Sequence, residues 1–398
     1  MTGRAAANDV DSAVAQFEGW LESVGRKRRV VGDLDDPEFS VAVFDDETPQ
    51  EERAAVEAGR VWERAKFDEG WGAVDWPASF GGRDLSSAHA AAIRTAEIDW
   101  DVPRRNELFA VTQRMIAPTV REWGTADQVE RFVRSLLRTD VMACQLFSEP
   151  EAGSDLAGVR AKATRAGTEW VLSGQKVWSS MATSAQFGEA ICRTDPDAPK
   201  HAGLTAFLVP LDAPGVTIRP IRQMTGGSCF NEVFLDDVRV PDSLRLGPEG
   251  RGWNVALTTL SAERDDSRTL GAGTVDKLLA LARRRGADPS VVDALVGLWV
   301  QDRVFSLNNE RAAAELRAGH EPGPQGSLGK LAATMTMRRT SDVVTLLLGA
   351  DLAADTGTRS TWAWTEQILG APGYRIAGGS DEIQRTIIAE RILGLPRG

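Results

Sequence analysis

The feature that most constrains this 398-residue chain is a change of pattern in its middle third. Up to about Asp140 the sequence carries helix-start signals and alanine-rich runs, at 54–66 and 88–97. From about 141 to 245 the apolar runs become short, rich in β-branched and aromatic residues, and closed by Pro or Gly. Beyond 246 helical spacing returns. A chain this long exceeds one ordinary hydrophobic core. The order helices, strands, helices therefore predicts an α+β multi-domain protein: a helical domain over 1–140, a small β-barrel or sandwich over 141–245, and an α-helical domain over 246–398.

Local chemistry fixes several elements. Thr48-Pro49-Gln50-Glu51 combines a capping residue, a proline suited to the first turn, and a glutamate at capping-box spacing. Trp76-Pro77-Ala78-Ser79-Phe80-Gly81-Gly82 must turn, because Pro and paired Gly break regular structure. Glu169–Ser173 reads as a strand ending at Gly174. Leu204–Pro210, Gly215–Pro220, Val233–Leu235 and Val238–Val240 read as four more. Trp253, Leu257 and Leu260 lie at helical spacing. The closing segment, Ser380 to Leu393, has an apolar face of Ile383, Ile387, Ile388 and Ile392, capping-box spacing at Asp381 and Gln384, and a stop at Gly394 and Pro396. His320–Gln325 reads as a turn between helices. A β domain between two helical ones offers a junction where a large ligand can bind.

Charge narrows the function. The net charge of −11 argues against nucleic acid, whose binding needs phosphates neutralised. Cys144, Cys192 and Cys229 match no metal spacing and are odd in number, so they read as reduced and buried; His89, His201 and His320 are too scattered for a metal site. No apolar run reaches membrane-span length, and the start lacks the pattern of a secretion signal. The expected compartment is the cytoplasm. Gly271-Ala272-Gly273 follows no strand, so a dinucleotide fingerprint is not present.

Two segments stand out: Gln145-Leu146-Phe147-Ser148-Glu149-Pro150-Glu151-Ala152-Gly153-Ser154-Asp155 and Gly174-Gln175-Lys176-Val177-Trp178-Ser179-Ser180. With the Trp76–Gly82 turn and Gly378-Gly379-Ser380-Asp381-Glu382-Ile383-Gln384-Arg385, they resemble the acyl-CoA dehydrogenase family over nearly the whole chain. The resemblance implies helical, β-barrel and helical-bundle domains, an FAD cofactor, and α,β-dehydrogenation of an acyl thioester carried on CoA or a carrier protein. It implies that Ser148 and Ser180 contact the flavin ring edge, with Trp178 flanking the ring. Gln145, Phe147, Gly153, Ser154 and Ser179 belong to the same cofactor set, and Ser154 also meets the substrate. Ser380 and Glu382, at a helix start, approach the cofactor, where free N–H groups favour an anion. Taken without its neighbours, Trp178 reads as core packing and Ser148-Glu149-Pro150 as an ordinary turn.

The implied reaction needs a carboxylate near the α-carbon and hydrogen bonds on the thioester oxygen. Many relatives carry that glutamate where this chain has Gly378. A minority place it in Leu-x-x-Glu-Arg, here Leu260-Ser261-Ala262-Glu263-Arg264, so Glu263 is the expected base. Ser261, Arg264, Gly378 and Gly379 are expected to line the substrate, with Arg264 on its polar tail or a phosphate. Asp265 and Asp266 stand as competing bases or as pocket-widening residues. Segments by which many relatives hold a neighbouring subunit's FAD are altered: no such stretch is recognisable near Gln301–Asn308, and Leu346–Ala350 lacks the glutamine that Gln367–Ala371 has at an unusual spacing. A homo- or hetero-oligomer and an electron-transfer-flavoprotein-like acceptor are the expected partners. Two other readings stay open: a flavin oxidase or monooxygenase on the same scaffold, and a catalytically reduced partner subunit.

Overall fold

The computed structural model describes residues 2–29, 31, 33–44, 47–263, 273–318 and 323–396, without the side chains of 2–8, 262, 263, 316 and 317. The chain forms two compact units. One comprises Ala13–Arg26 and Asp46–Glu263, the other Met1–Ser12, Lys27–Asp45 and Arg264–Gly398.

The first unit carries the second half of α1 (Thr2–Val24), then α2 (Pro49–Asp68) and α3 (Ser87–Glu97). The capping box at Thr48 forms as the sequence requires: Thr48 Oγ1 accepts from Glu51 N, and Glu51 accepts from Thr48 N. The expected turn is a single 3-10 turn, Ala78–Phe80, with Gly81 left-handed at φ 93°. A Cβ on Gly82 would lie 1.9 Å from Trp76 O, so only glycine fits there. α4 (Glu107–Ala110) and α5 (Ala117–Trp123) are joined by a π-helical stretch, Val111–Ile116. α6 (Ala126–Gln128) and α7 (Arg134–Leu137) are likewise joined by Val129–Val133.

Eight strands follow: β1 (Ala143–Leu146), β2 (Lys162–Ala166), β3 (Glu169–Ser180), β4 (Phe187–Arg193), β5 (Leu204–Pro210), β6 (Val216–Ile221), β7 (Phe230–Pro241) and β8 (Arg245–Leu246). They form one mixed sheet in the order β6-β7-β3-β2-β4-β5-β8, with β1 added parallel to β4. Trp170 on β3 packs against Phe207 on β5 with ring centroids 5.4 Å apart. Three strand spacings of a flat sheet would separate them by about 14 Å, so the sheet curls around a shared core, in the manner of a small barrel. Leu172, Ala190, Phe207, Val233, Val240 and Leu246 fill that core.

Two strand boundaries differ from the sequence reading. β3 does not stop at Gly174; the ladder shifts register there and runs on to Ser180, because the backbone of Ala161 lies where a side chain would stand. The two short runs at 233 and 238 are one strand, β7, bent at Asp237, whose φ is 50° and whose carboxylate accepts from Ser173. α8 (Gly252–Glu263) closes this unit. Its helical phase also differs from expectation: Val255, Ala256 and Thr259 are fully buried, whereas Leu257 is exposed. A Cβ on Gly252 would meet the backbone of Thr205, so the helix starts directly on β5.

The second unit is a helical bundle of α9 (Thr274–Arg285), α10 (Pro289–Arg317), α11 (Gly326–Leu348), α12 (Arg359–Tyr374) and α13 (Asp381–Ile387), which continues as a π-helical turn to Ile392. Its core joins Leu278, Leu281, Leu295, Leu298, Val344 and Trp364 with Phe39 of the 33–44 segment. Arg359 donates to Phe39 O and Lys277 to Ser40 O, tying that segment down. The cap of α13 is Ser380, which accepts from Ile383 N; Asp381, expected as the cap, instead accepts from Thr334 and Arg375 inside the bundle. His320, Glu321 and Pro322 lie outside the described residues. No helix among the described residues is long and apolar enough to cross a membrane.

Candidate active site

The two segments picked out in the sequence meet at the end of β1 and the second half of β3. Val177 N donates to Ser148 O at 2.9 Å, joining their backbones. Beneath that bond lies a buried ion pair, Lys176 Nζ to Glu149 Oε1 at 2.8 Å, with the lysine fully buried and the glutamate nearly so. Lys176 also donates to Phe147 O (3.1 Å) and Ile191 O (2.7 Å), which uses all three of its protons. Glu149 also accepts from Arg160 N and Ala161 N at 2.7 and 2.9 Å. A buried pair is tolerable only when every lone pair and proton finds a partner, as here. This bracing is why Glu149 and Lys176 occupy those positions, a role the sequence reading missed.

Next to this bracing lies a strained edge. Between Lys176 and Ser179 the β3–β7 ladder shifts register, and Trp178 sits at φ 60°, a conformation an aromatic residue rarely adopts. Its ring is 58% exposed and touches Phe230 edge to face at 6.0 Å. Trp178 is therefore not core packing. Ser180, next but one, is half-buried and donates to Glu107 Oε2 at 3.3 Å. Glu107 is a second residue the sequence reading missed; it lies 73 positions away, and no local signal marks it. Glu52 on α2 accepts from Ser184 (3.2 Å) and Thr183 (3.5 Å), and burial pushes its carboxyl above the usual range. Burial, with the charges of Glu107 and Glu52, pushes the Cys229 thiol up to about 12.

The other expected residues divide. Gln145 is half-buried and its Nε2 makes no hydrogen bond; Ser179 is buried with an unpartnered Oγ, opposite Asn231, whose Nδ2 is also unpartnered. Phe147 contributes its carbonyl to Lys176 while its ring joins the core. Gly153 and Ser154 are exposed, beside an Asp155–Lys200 ion pair. Ser261 is exposed and bonds back to Thr258 O at 2.7 Å. Glu263 is the last residue of α8, but its side chain, like Arg264, Asp265 and Asp266, lies outside the described residues. Buried donors without partners beside an exposed indole fit a planar, polar cofactor such as a flavin, since unpaired buried polar groups are otherwise costly.

In the bundle unit, Gly378 and Gly379 are both left-handed, at φ 64° and 86°. Gln384 Nε2 donates to both of their carbonyls, at 2.9 and 3.1 Å, and Lys330 Nζ also donates to Gly379 O. Ser380 is spent as the helix cap, and Glu382 is exposed and pairs with Arg385. Gln367 is buried, donating to Met337 O and accepting from Ser341, so its role is internal to the bundle.

A helical layer, a curled sheet carrying two joined polar motifs, and a helical bundle together define a class of flavin-dependent oxidoreductase scaffold. The chain matches the acyl-CoA dehydrogenase N-terminal domain over 41–140, the middle domain over 144–238 and the C-terminal domain over 250–393, and belongs to the acyl-CoA dehydrogenase family. It is thus an oxidoreductase of the acyl-CoA dehydrogenase type. It is 37% identical over 397 residues to acyl-CoA dehydrogenase IpdE1 of Mycobacterium tuberculosis, covering 98% of each chain. It is 39% identical over 384 residues to acyl-CoA dehydrogenase FadE34 of the same organism, covering 95% of this chain; it spans only about half, 52%, of that relative's length. Among solved structures, the Tcur3481–Tcur3483 steroid ACAD superposes with a TM-score of 0.74 at 25% identity, covering 99% of this chain and 98% of that one.

Proposed function

We propose that this chain, with FAD, converts an acyl-CoA thioester to the 2-enoyl-CoA, with Glu263 as the base. The observation that carries this is the braced corner: the Ser148 and Ser180 segments joined by the Val177–Ser148 bond and the Lys176–Glu149 pair, with Trp178 turned outward beside them. FAD, when bound, supplies the acceptor for the β-hydrogen. Ser148 and Ser180 hold the ring edge, and Trp178 covers the ring and keeps water off it. Gln145 and Ser179 offer buried donors, and Ser154 meets the thioester end of the substrate. Glu263 takes the α-proton, the base position at Gly378 being vacant, and Arg264 and Ser261 hold the polar part of the substrate. Glu263→Gln is expected to abolish flavin reduction by substrate while leaving folding and FAD binding intact. Near-normal turnover in that variant sinks the assignment.

A glycine pair at 378–379 leaves open the volume a glutamate would fill. That room, with the likeness to a steroid ACAD, favours a bulky, ring-bearing acyl group. Turnover against short, branched and polycyclic acyl-CoAs checks this; a preference for short linear chains removes it.

The protein works as an oligomer in the cytoplasm, passing electrons to an electron-transfer-flavoprotein-like acceptor. α10 supports assembly: opposite its buried face of Val291, Leu295 and Leu298 it exposes Val292, Val296, Trp299 and Val304, more apolar surface than a solvated helix carries. Because Gln367 is committed inside the bundle, the FAD site is shared with an unlike subunit. Expressed alone, the chain is expected to purify with little flavin; a homo-oligomer with one FAD per chain overturns this.

A further inference from the structure

Glu189 on β4 is fully buried, and both its carboxyl oxygens lie at hydrogen-bond distance from one hydroxyl, Thr259 Oγ1, at 2.9 and 3.0 Å. Thr259, on α8, is also fully buried, and its Oγ1 is 2.9 Å from Thr119 Oγ1 on α5. Thr119 Oγ1 donates to Met115 O at 2.8 Å. Burial pushes the Glu189 carboxyl up to about 8, and the Thr259 hydroxyl only partly offsets it; no charged side chain takes part.

One arrangement of protons satisfies every hydroxyl at these distances, while Thr259 Oγ1 also lies 3.3 Å from Val255 O within α8. With Glu189 neutral, its O–H donates to Thr259, Thr259 donates on to Thr119, and Thr119 donates to Met115 O. Every hydroxyl proton is placed and the chain runs one way, from the sheet through α8 into α5. With Glu189 ionised, a fully buried charge would rest on a single hydroxyl, which is too little to replace its hydration. On the same turn of α8, Thr258 Oγ1 accepts from Trp123 Nε1 at 2.9 Å. Among the described residues these are the last polar ties of α8 to its neighbours before Glu263, which lies four residues, one helical turn, beyond Thr259.

We propose that Glu189 is a positioning residue: through Thr259 and Thr119 it clamps α8 to β4 and α5, and so sets the position of the helix end that bears Glu263. This rests on the reading of Glu263 as the base. The family-type motifs do not include Glu189, Thr259 or Thr119, and nothing in the proposed chemistry otherwise uses a buried carboxyl beneath that helix.

The test compares Glu189→Leu, Thr259→Val, the double variant Glu189→Leu/Thr259→Val, and Glu189→Gln, each in the full chain. Two readouts are taken: kcat and KM on the FAD-loaded enzyme, and deuterium exchange of the α8 amides in the FAD-free protein. Displacing a reacting group by about 1 Å can cost up to a hundredfold in rate, so the Leu and Val variants should lose about tenfold or more in kcat with KM little changed. Their α8 amides should exchange faster. The double variant leaves no buried polar group unpaired and should fold normally, yet show the same kcat loss. Glu189→Gln keeps a donor to Thr259 and should restore both readouts to near wild type. Wild-type kcat and α8 exchange in the folded double variant overturn the proposal. If Glu263→Gln stays active, the base reading fails and the positioning role with it. If Glu263→Gln is dead and the clamp variants are normal, only the clamp fails.

Discussion

The Ser148–Ser180 corner and the Gly378–Gly379 loop are held by opposite means. In the corner, a buried Lys176–Glu149 pair fixes the backbone from below, and two residues further on Trp178 takes a left-handed, exposed pose. In the loop, two glycines adopt left-handed backbone and side chains reach in from the helices to hold their carbonyls, Gln384 to both and Lys330 to one. The corner uses charge to fix side chains in place. The loop uses the lack of side chains to leave space. The contrast teaches that one chain can present side chains rigidly in one unit and leave space in the other, and that different chemistry meets each demand.

Breaking the corner should have the largest effect. Lys176→Met leaves Glu149 charged, buried and without its cation, and such a loss costs about 3–5 kcal/mol. Urea unfolding measures it. A loss under about 1 kcal/mol would mean that the backbone donors of Arg160 and Ala161 suffice to hold Glu149. An effect smaller per pH unit, but spread over several units, comes from Glu189, a buried carboxyl with no cation beside it where Glu149 has Lys176. Its folded pKa is about 8 against an ordinary value of 4.5. As pH rises past 4.5 the unfolded chain releases this proton while the folded chain keeps it. Stability should therefore fall by up to about 1.4 kcal/mol per pH unit and level off once pH passes about 8. Glu189→Gln should flatten that contribution, as denaturant curves at a series of pH values will show. The smallest effect is expected in the loop. Gly379→Ala places a Cβ 2.9 Å from Gln384 Nε2 at a φ of 86°, and left-handed backbone costs a residue with a side chain about 1–2 kcal/mol. If the Ala variant is as stable as wild type by thermal unfolding, the loop is not held as described.

Much of the fold was legible because it rests on near neighbours. The Thr48 capping box, the Trp76–Gly82 turn and the strands at 204–210 and 216–221 each follow from residues within a few positions. The errors share a cause. β3 continued through Gly174 because Ala161, next to the Lys162–Ser173 pair on the neighbouring strand, packs against it. The buried face of α8 turned out to be Val255, Ala256 and Thr259, because what lies under the helix is Glu189 and Thr119 rather than an apolar surface alone. Asp381 gave up the cap because Thr334 and Arg375 compete for its carboxylate.

By itself, then, the sequence determined the succession of helical, β and helical parts, the glycine-bound turns and the two polar motifs, since backbone preference and hydrogen bonding between near neighbours act along the chain. The tertiary structure alone decided that those motifs share one braced corner, that Trp178 faces outward, and that Ser180 meets Glu107 and Glu189 meets Thr259. Each of those pairings joins groups roughly 70 residues apart in the chain. Their strength comes from exclusion of water, and only the packed core provides that exclusion.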